Sequence, residues 1–548
     1  MSHEREVARG AGVVGGATMV SRVLGLVREQ VMATLFGAGF ATDAFNVAFR
    51  IPNLLRDLFA EGAMSSAFVP TYTEQRARLG EPAALDFARR LMLTLLAVLL
   101  LLCAIGWIAA PALVRLFAPG FDAVPGKFEL TVALTRIMLP FLPEVALAAA
   151  AMGVLNAHGR FGVPALAPAF LNIGMVLGGL ALLPVCEAFG APAIAAMAWG
   201  VVIGGFLQFA VQLPALHQVG FRLVAPRPDG APAPRGTWLH PGVHRVAALM
   251  IPATIGLAAT QINLLVTTVI ASVLEEGSVS WLWYAFRLMQ LPIGVFGVAL
   301  ATVSLPALSR AAVAGDHAAL KSMLSAALRL LGLLTIPAAA WLAVMASPVV
   351  ALLYEHGRFG PYDTAQTAGA LAAYALGLPA FAAVTVLTRA FYALGETRVP
   401  VIASFVAVAL NLVLNLLFVG PLAFLGLGHL GLALATSVTS IVNAAQLALY
   451  LRRRIGPIEG GRIAGAAVRV AAAAAFALAP CALALRALDG RWHAGVLAEL
   501  GVVAAGLLAS LVLGWFALRA LRVEELGALE SIVASVVRRL GIGGRPRA

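Results

Sequence analysis

Several ionisable residues stand in stretches that are otherwise apolar. "SRVLGLVREQ" holds Arg22, Arg28 and Glu29; "FRIPNLLRDLFAEGA" holds Arg50, Arg56, Asp57 and Glu61, with Asp43 just before it; "YAFRLMQLP" holds Arg287. In a bilayer such groups are costly and face a cavity or one another. Arg22, Arg28, Arg56 and Arg287 have too few acids nearby to be fully paired, and the planar guanidinium fork suits phosphate oxygens. The chemistry implied is the handling of an anionic, phosphate-bearing ligand. An unpaired phosphate cannot cross hydrocarbon unaided, and an arginine-lined, water-filled cleft removes that barrier. Arg136, Arg329, Arg389 and Arg469 lie near expected helix ends, where snorkelling accounts for them. At 100° per residue Arg22 and Arg28 sit about 120° apart, so both reach one cleft only if their helix bends, as Gly25 permits. Pro52 is expected to break the second helix in the same way.

The elements that must hold these residues follow from composition. The chain has 548 residues, 61% hydrophobic and 12% charged, with a mean hydropathy of +0.93. A soluble protein carries about a quarter charged residues. Leu91 to Val114 is uncharged, and so is Val399 to Leu451; about 20 residues suffice to span hydrocarbon. The short alternating segments of outer-membrane barrels are missing. The pattern predicts an all-α integral membrane protein of about fourteen transmembrane helices. They are expected at 10–36, 43–75, 91–114, 128–155, 161–185, 191–217, 246–272, 280–309, 322–350, 365–395, 399–420, 426–451, 463–485 and 494–518. The first is read as a retained helix and not a cleaved signal, because no small-residue cleavage site follows a short apolar core.

The net charge of +12 is an orientation signal. With the N-terminus placed in the cytoplasm, inner connections collect Arg76, Arg78, Arg89, Arg90, Arg245 and the run Arg452 to Arg454. The outer set is only Arg115, Lys127, Arg358, Arg486 and Arg491. The positive-inside rule then puts both termini on the cytoplasmic side of the membrane, and nucleic acid is not an expected partner. Cys103, Cys186 and Cys481 lack paired spacing and read as small buried hydrophobes. There is no P-loop, no Asp-rich diphosphate–metal motif and no histidine pair at ligand spacing; His429 simply opens a helix. No enzyme activity, cofactor or metal is expected. Residues 523–548 form a cytoplasmic tail, and within it 523–541 reads as an amphipathic helix for the leaflet surface.

The chain also repeats itself. "NAHGRFGVP" from Asn156 matches "YALGETRVP" from Tyr392, Ala48 to Arg50 matches Ala285 to Arg287, and Val69-Pro70 matches Leu305-Pro306, at offsets of 236 or 237 residues. The spacing covers six helices, an even number, so the copies run parallel, with Arg50 and Arg287 as counterparts. Residues 1–217 and 246–453 are the expected six-helix lobes around a central cavity. Residues 218–245, with "VAPRPDGAPAPRG", are the cytoplasmic linker. Residues 454–522 hold the two extra helices, a groove for a lipid tail or padding for the fold. Two lobes about a cavity suit alternating access.

At "SRVLGLVREQVMATLFGAGFATDAFNVAFRIPNLLRDLFAEGAMSSAFVP" (21–70) the sequence closely resembles the MviN/MurJ family of lipid II flippases. "NAHGRFGVPALAPAFLNI", "GSVSWLWYAFRLMQLPIGVFGVALATVSLPALS" and "FYALGETRVPV" carry the same resemblance, which runs over essentially the whole chain. It implies the fold of the multidrug/oligosaccharidyl-lipid/polysaccharide exporter superfamily, and the undecaprenyl-diphosphate-linked peptidoglycan precursor lipid II as substrate. It carries the family's cavity charges onto Arg22, Arg28, Asp43, Arg56, Glu61 and Arg287. Some members have acids where this chain has Phe286 and Gln290, and a second arginine where it has Asp57. Membrane lipids and proteins of cell-wall synthesis are the other expected partners. The alternatives are an antiporter of cationic drugs, a flippase for another isoprenoid-linked glycan, or a membrane scaffold; a cation site would need acids in excess, and here the excess is basic.

Overall fold

Inside a bilayer every backbone N–H and C=O must find its partner within the chain, and an α-helix achieves this segment by segment. A computed structural model describes residues 2–57, 63–222 and 241–531, apart from 489, 491, 494 and 528; side chains are described from residue 14, except at 63–66, 251–260, 298–299, 301–304 and 307. The described residues form helices and no strand. Among the described residues nine helical stretches are long and apolar enough to cross a membrane, with Lys127–Ala157 and Ala195–Gln218 each taken as one. A tenth follows if Pro361–Ala375 and Leu378–Ala393, bent by 44°, make one broken span. Every expected segment holds helix. Ser2–Phe36, Phe40–Arg56 and Ser278–Pro292, which carry the arginines singled out above, are not among the nine.

Several expected helices come in two pieces. The segment 128–155 appears as Lys127–Met138 and Phe141–Ala157, parted at Leu139-Pro140. The segment 280–309 appears as Ser278–Pro292, a π turn at Ile293–Gly297, and Val298–Val313. Proline lacks the N–H that the helical ladder needs, so the ladder opens there. Pro52 behaves otherwise: Phe40–Arg56 runs straight through it, and the next described helix begins at Ala63.

Contacts divide the chain into unit 1, residues 1–280 with 356–359, and unit 2, residues 281–355 with 360–548. The division differs from the expected lobes. Pro241–Ala271, expected to open the second lobe, packs in unit 1 against Ala63–Leu79 and Glu81–Phe117, where Arg245 Nη1 lies 2.7 Å from Glu74 Oε2. Most of the expected linker, 223–240, lies outside the described residues.

In unit 1 the tightest packing is between Gly162–Ala181 and Ala195–Ala210, with Ser2–Phe36 also against Gly162–Ala181. A Cβ added to Gly174 would stand 2.3 Å from the Cα of Gly204, and one on Gly178 2.4 Å from the Cα of Gly200. These are two Gly-x-x-x-Gly pairs meeting face to face. Within lipid, where burial of apolar surface does not drive association, such close backbone approach is what holds helices together.

Unit 2 centres on Leu320, Leu324, Leu331, Val386, Phe391 and Leu447. Gly460–Leu488 lies along His317–Val344, and Val496–Ala520 packs on Gly460–Leu488. Most of the apolar side chains of Val496–Ala520 face outward, among them Leu497, Leu508 and Leu511. The start of the tail does not stand free as a surface helix would. Val523 and Leu526 are buried with Leu333, Val470 and Leu518, and Arg329 Nη1 lies 2.7 Å from Glu525 Oε1. Glu530 accepts from Trp515 Nε1 and Arg519 Nη2, each at 3.0 Å. The Trp515 hydrogen bond, then that from Arg519, holds its carboxyl below the usual carboxylate range. Residues 532–548 of the expected amphipathic tail lie outside the described residues.

Overpacking a core costs typically about 1–3 kcal/mol, and at Gly178 or Gly200 the obstacle is backbone, which cannot move aside. Gly178→Leu and Gly200→Leu should each lower the thermal unfolding midpoint in detergent by several degrees or abolish recovery of folded protein. Gly501→Leu, where nothing lies within 4 Å, should behave as wild type. Equal losses at all three positions would remove close helix approach as the cause.

Candidate functional site

Ser2–Phe36 is one continuous helix and carries Arg22 and Arg28. Arg28 is only 8% exposed. Its Nη1 donates to Asn172 Oδ1 at 3.1 Å and lies 3.8 Å from Met175 Sδ; its Nη2 pairs with Glu29, itself buried. Asn172 Nδ2 in turn donates to the backbone oxygen of Ser21 at 3.1 Å. A Cβ on Gly25 would stand 3.9 Å from both amide heteroatoms of Asn172, so the glycine leaves room for this side chain and no break occurs there. Arg22 is half-buried and makes no hydrogen bond or ion pair among the described residues. One helix therefore presents one partnered guanidinium and, among the described residues, one open one.

Phe40–Arg56 carries Asp43, Arg50 and Arg56. Asp43 is 1% exposed. Its Oδ2 accepts from Lys127 Nζ and from Gly277 N, each at 2.9 Å, and its Oδ1 from Ser280 N at 3.0 Å and Ser280 Oγ at 2.6 Å. Lys127 is buried too, its ammonium 4.5 Å from the Phe121 ring centroid. Sequence reading counted Lys127 among outer loop charges, whereas the structure buries it as the partner of Asp43. The carboxylate is fully used in joining Phe40–Arg56 to Lys127–Met138 and to Gly277–Ser280. Removing one member of such a pair strands a bare charge at about 3–5 kcal/mol.

At the other end of the same helix, Arg56 Nε and Nη2 lie 3.1 and 2.6 Å from Asp57 Oδ1. Asp57 Oδ2 accepts from Gln261 Nε2 at 2.9 Å. Both residues are half-buried, as is Arg50. Glu61 lies outside the described residues. In unit 2, Arg287 is half-buried on Ser278–Pro292, its guanidinium carbon 4.8 Å from the Trp283 ring centroid and its Nη1 3.5 Å from Gln290 Oε1. Stacking on indole holds the plane of the fork by a cation–π contact.

Unit 1 thus gathers Arg22, Arg28, Asp43, Arg50 and Arg56 on two helices, and Arg287 stands in unit 2. Sequence reading missed Asn172 and the true setting of Lys127. Asn172 had a signal, a lone amide in an apolar helix inside the stretch 156–173. Among the described residues no group of His, Cys, Asp or Glu is placed to hold a metal ion.

The family model for lipid II flippase MurJ matches residues 32–503. The chain belongs to the MurJ family of lipid II flippases. It is 39% identical over 442 residues to "Lipid II flippase MurJ" of Burkholderia cenocepacia, covering 80% of this chain and 83% of the relative. It is 41% identical over 438 residues to the probable lipid II flippase MurJ of Rhizobium meliloti, covering 79% and 78%. A solved structure, "Lipid II flippase MurJ, inward closed conformation", matches with a TM-score of 0.74 at 26% identity over 93% of this chain and 99% of that one. An inward-facing multidrug transporter of the MATE family and MOP superfamily matches with a TM-score of 0.66 at 15% identity, covering 82% of this chain and 99% of that one; it shares the fold. Family and apolar spans together make this a multi-pass, all-α membrane protein.

For this family member the Asp43–Lys127 pair is open to a double-mutant cycle. Asp43→Asn and Lys127→Met should each destabilise the protein by about 3–5 kcal/mol, read from unfolding in detergent. The double variant should recover part of that loss, because no bare charge remains. Strictly additive losses would mean that the two residues do not act as a pair.

Proposed function

We propose that this chain flips lipid II from the inner to the outer leaflet of the bacterial cytoplasmic membrane by alternating access, with both termini in the cytoplasm. The observation that carries this reading is the family match along residues 32–503. The arginines supply its chemical reason. The cargo's diphosphate is the costly part of the crossing, and guanidinium forks donate paired hydrogen bonds to phosphate oxygens. Arg22, open among the described residues, is the readiest phosphate ligand of unit 1, where Arg28, Arg50 and Arg56 also stand, and Arg287 is the candidate of unit 2. Asp43 serves by fixing the helix that carries Arg50 and Arg56, and Glu61 is assigned with them as a counter-charge. Membrane lipids surround the carrier, and proteins of cell-wall synthesis consume what it delivers.

The energy source follows from the charge moved. The cytoplasm is electrically negative, so an anionic headgroup carried outward runs down the membrane potential. Each net negative charge gains about 2.3 kcal/mol per 100 mV. Two uncompensated charges are enough to give the process direction without nucleotide.

Two measurements check this. Depletion of the protein should strand lipid II in the inner leaflet and stop growth, and Arg28→Ala or Arg287→Ala should fail to restore growth although the protein reaches the membrane. Lysine at either position keeps the charge, loses the fork, and should restore growth only weakly. In sealed vesicles with a potassium diffusion potential and no sodium or proton gradient, flipping should accelerate when the side from which lipid II leaves is negative. A rate indifferent to the sign and size of the potential would assign the direction to an ion gradient or to downstream consumption.

A further inference from the structure

A carrier that binds a diphosphate through arginines must also survive without its cargo. Arg28 is nearly sealed from solvent, and an isolated guanidinium there would bear the desolvation cost of a buried charge. The structure answers this with two ligands of different strength. Glu29, the next residue on the same helix, pairs with Nη2. Asn172, on Gly162–Ala181, puts its carbonyl oxygen 3.1 Å from Nη1. The amide is held in that orientation by its own donation to Ser21 O at 3.1 Å, and Gly25 gives it space. Met175 Sδ, 3.8 Å from Nη1, is a weak third contact.

We propose that Asn172 is a stand-in ligand for Arg28, occupying in the unloaded carrier the Nη1 edge that a phosphate oxygen of the cargo takes over when it binds. The proposal rests on the reading of the chain as a lipid II flippase and names a positioning residue within it. The exchange is favourable in the right direction. Both bonds are charge-assisted from the guanidinium side, but a phosphate oxygen adds the attraction of its own charge where a neutral amide does not, so cargo displaces Asn172 while Glu29 stays on Nη2. When cargo leaves, the amide returns and Arg28 crosses the unloaded half-cycle without a bare Nη1 edge. A full carboxylate in place of Asn172 would compete too well, and no acceptor at all would leave the empty state unprotected.

Binding and turnover should therefore separate. The test uses the full-length protein in nanodiscs, with lipid II titrated for binding and flipping measured in vesicles, beside a thermal unfolding midpoint. Asn172→Ala should tighten lipid II binding about three- to tenfold, since a competing acceptor is gone, yet slow multi-turnover flipping by a similar factor, since hydrogen bonds to charged groups lost from a buried site cost this much or more. Asn172→Asp, nearly isosteric, should keep or raise the unfolding midpoint while weakening lipid II binding about tenfold or more. If Asn172→Ala does not fold, Asn172→Asp decides alone: unchanged lipid II affinity in that variant overturns the proposal. Alanine and aspartate variants that shift only the unfolding midpoint, with wild-type affinity, would return Asn172 to a packing role and overturn it too. Failure of the wild-type protein to bind lipid II would overturn the substrate assignment itself, a result distinct from both.

Discussion

A guanidinium inside a hydrocarbon layer cannot be left bare, and this constraint orders the charged residues of unit 1 into a series. Asp43 and Lys127 stand at one extreme, a buried pair whose carboxylate accepts four hydrogen bonds. Nothing about that pair is available for exchange, so it works as a joint. Arg28 is intermediate, with one charged partner and one neutral one. Arg22 is at the other extreme, half-buried with no partner among the described residues. Such a gradient separates charges that build the protein from charges that serve a ligand, since only a weakly held or open guanidinium gives up little when phosphate arrives.

That series depends on how closely helices approach. On an ideal helix Asn172 lies about 160° from Gly174 and about 120° from Gly178. Gly162–Ala181 therefore turns its glycine face to Ala195–Ala210 and presents Asn172 and Met175 to Ser2–Phe36. Backbone contact on the first face, at Gly174 and Gly178, fixes the depth and rotation of the helix. The second face can then place an amide against Arg28 at hydrogen-bond distance. A bulkier seam would rotate or lift Gly162–Ala181, and the 3.1 Å contact would be the first to go. Packing thus reaches the ligand chemistry through geometry and without touching an arginine.

The fold class and most helix positions were legible in the sequence, because a long uncharged run in lipid has one stable conformation. The arginines were legible as anomalies for the same reason. Their partners were not. Lys127 lies 84 residues from Asp43 and Asn172 144 residues from Arg28, and no local pattern links residues so distant. Proline misled in one place and was underrated in others. Phe40–Arg56 continues through Pro52, as transmembrane helices can when neighbouring groups satisfy the freed carbonyls, while the ladder opens at Leu139-Pro140 and after Pro292. The Pro/Gly-rich stretch after residue 218 marks a connection in the chain but not the boundary of packing, since Pro241–Ala271 joins unit 1 through contacts such as Arg245–Glu74. Composition marks where helical patterning lapses along the sequence; side-chain fit decides which helices belong together.

Pairing also bears on how a membrane potential can act on the proposed cycle. If the arginines moved bare, their own charge would cross part of the field in every half-cycle and would offset work done on the cargo. Part of the positive charge is already balanced where it stands: Arg28 by Glu29, Arg56 by Asp57, and Lys127 by Asp43. A neutral ion pair that shifts as a unit moves no net charge through the field, so it contributes almost nothing at about 2.3 kcal/mol per charge per 100 mV. The potential then acts chiefly on what is not paired, the cargo's anionic headgroup on the way out and the excess positive charge around Arg22 on the way back. Unpaired positive charge that moves outward with the cargo offsets part of the headgroup's gain, and the same charge moving inward with the empty carrier recovers it. Pairing of Arg28 with Glu29 and of Arg56 with Asp57 thus lowers the protein charge that would move with the cargo in the proposed cycle.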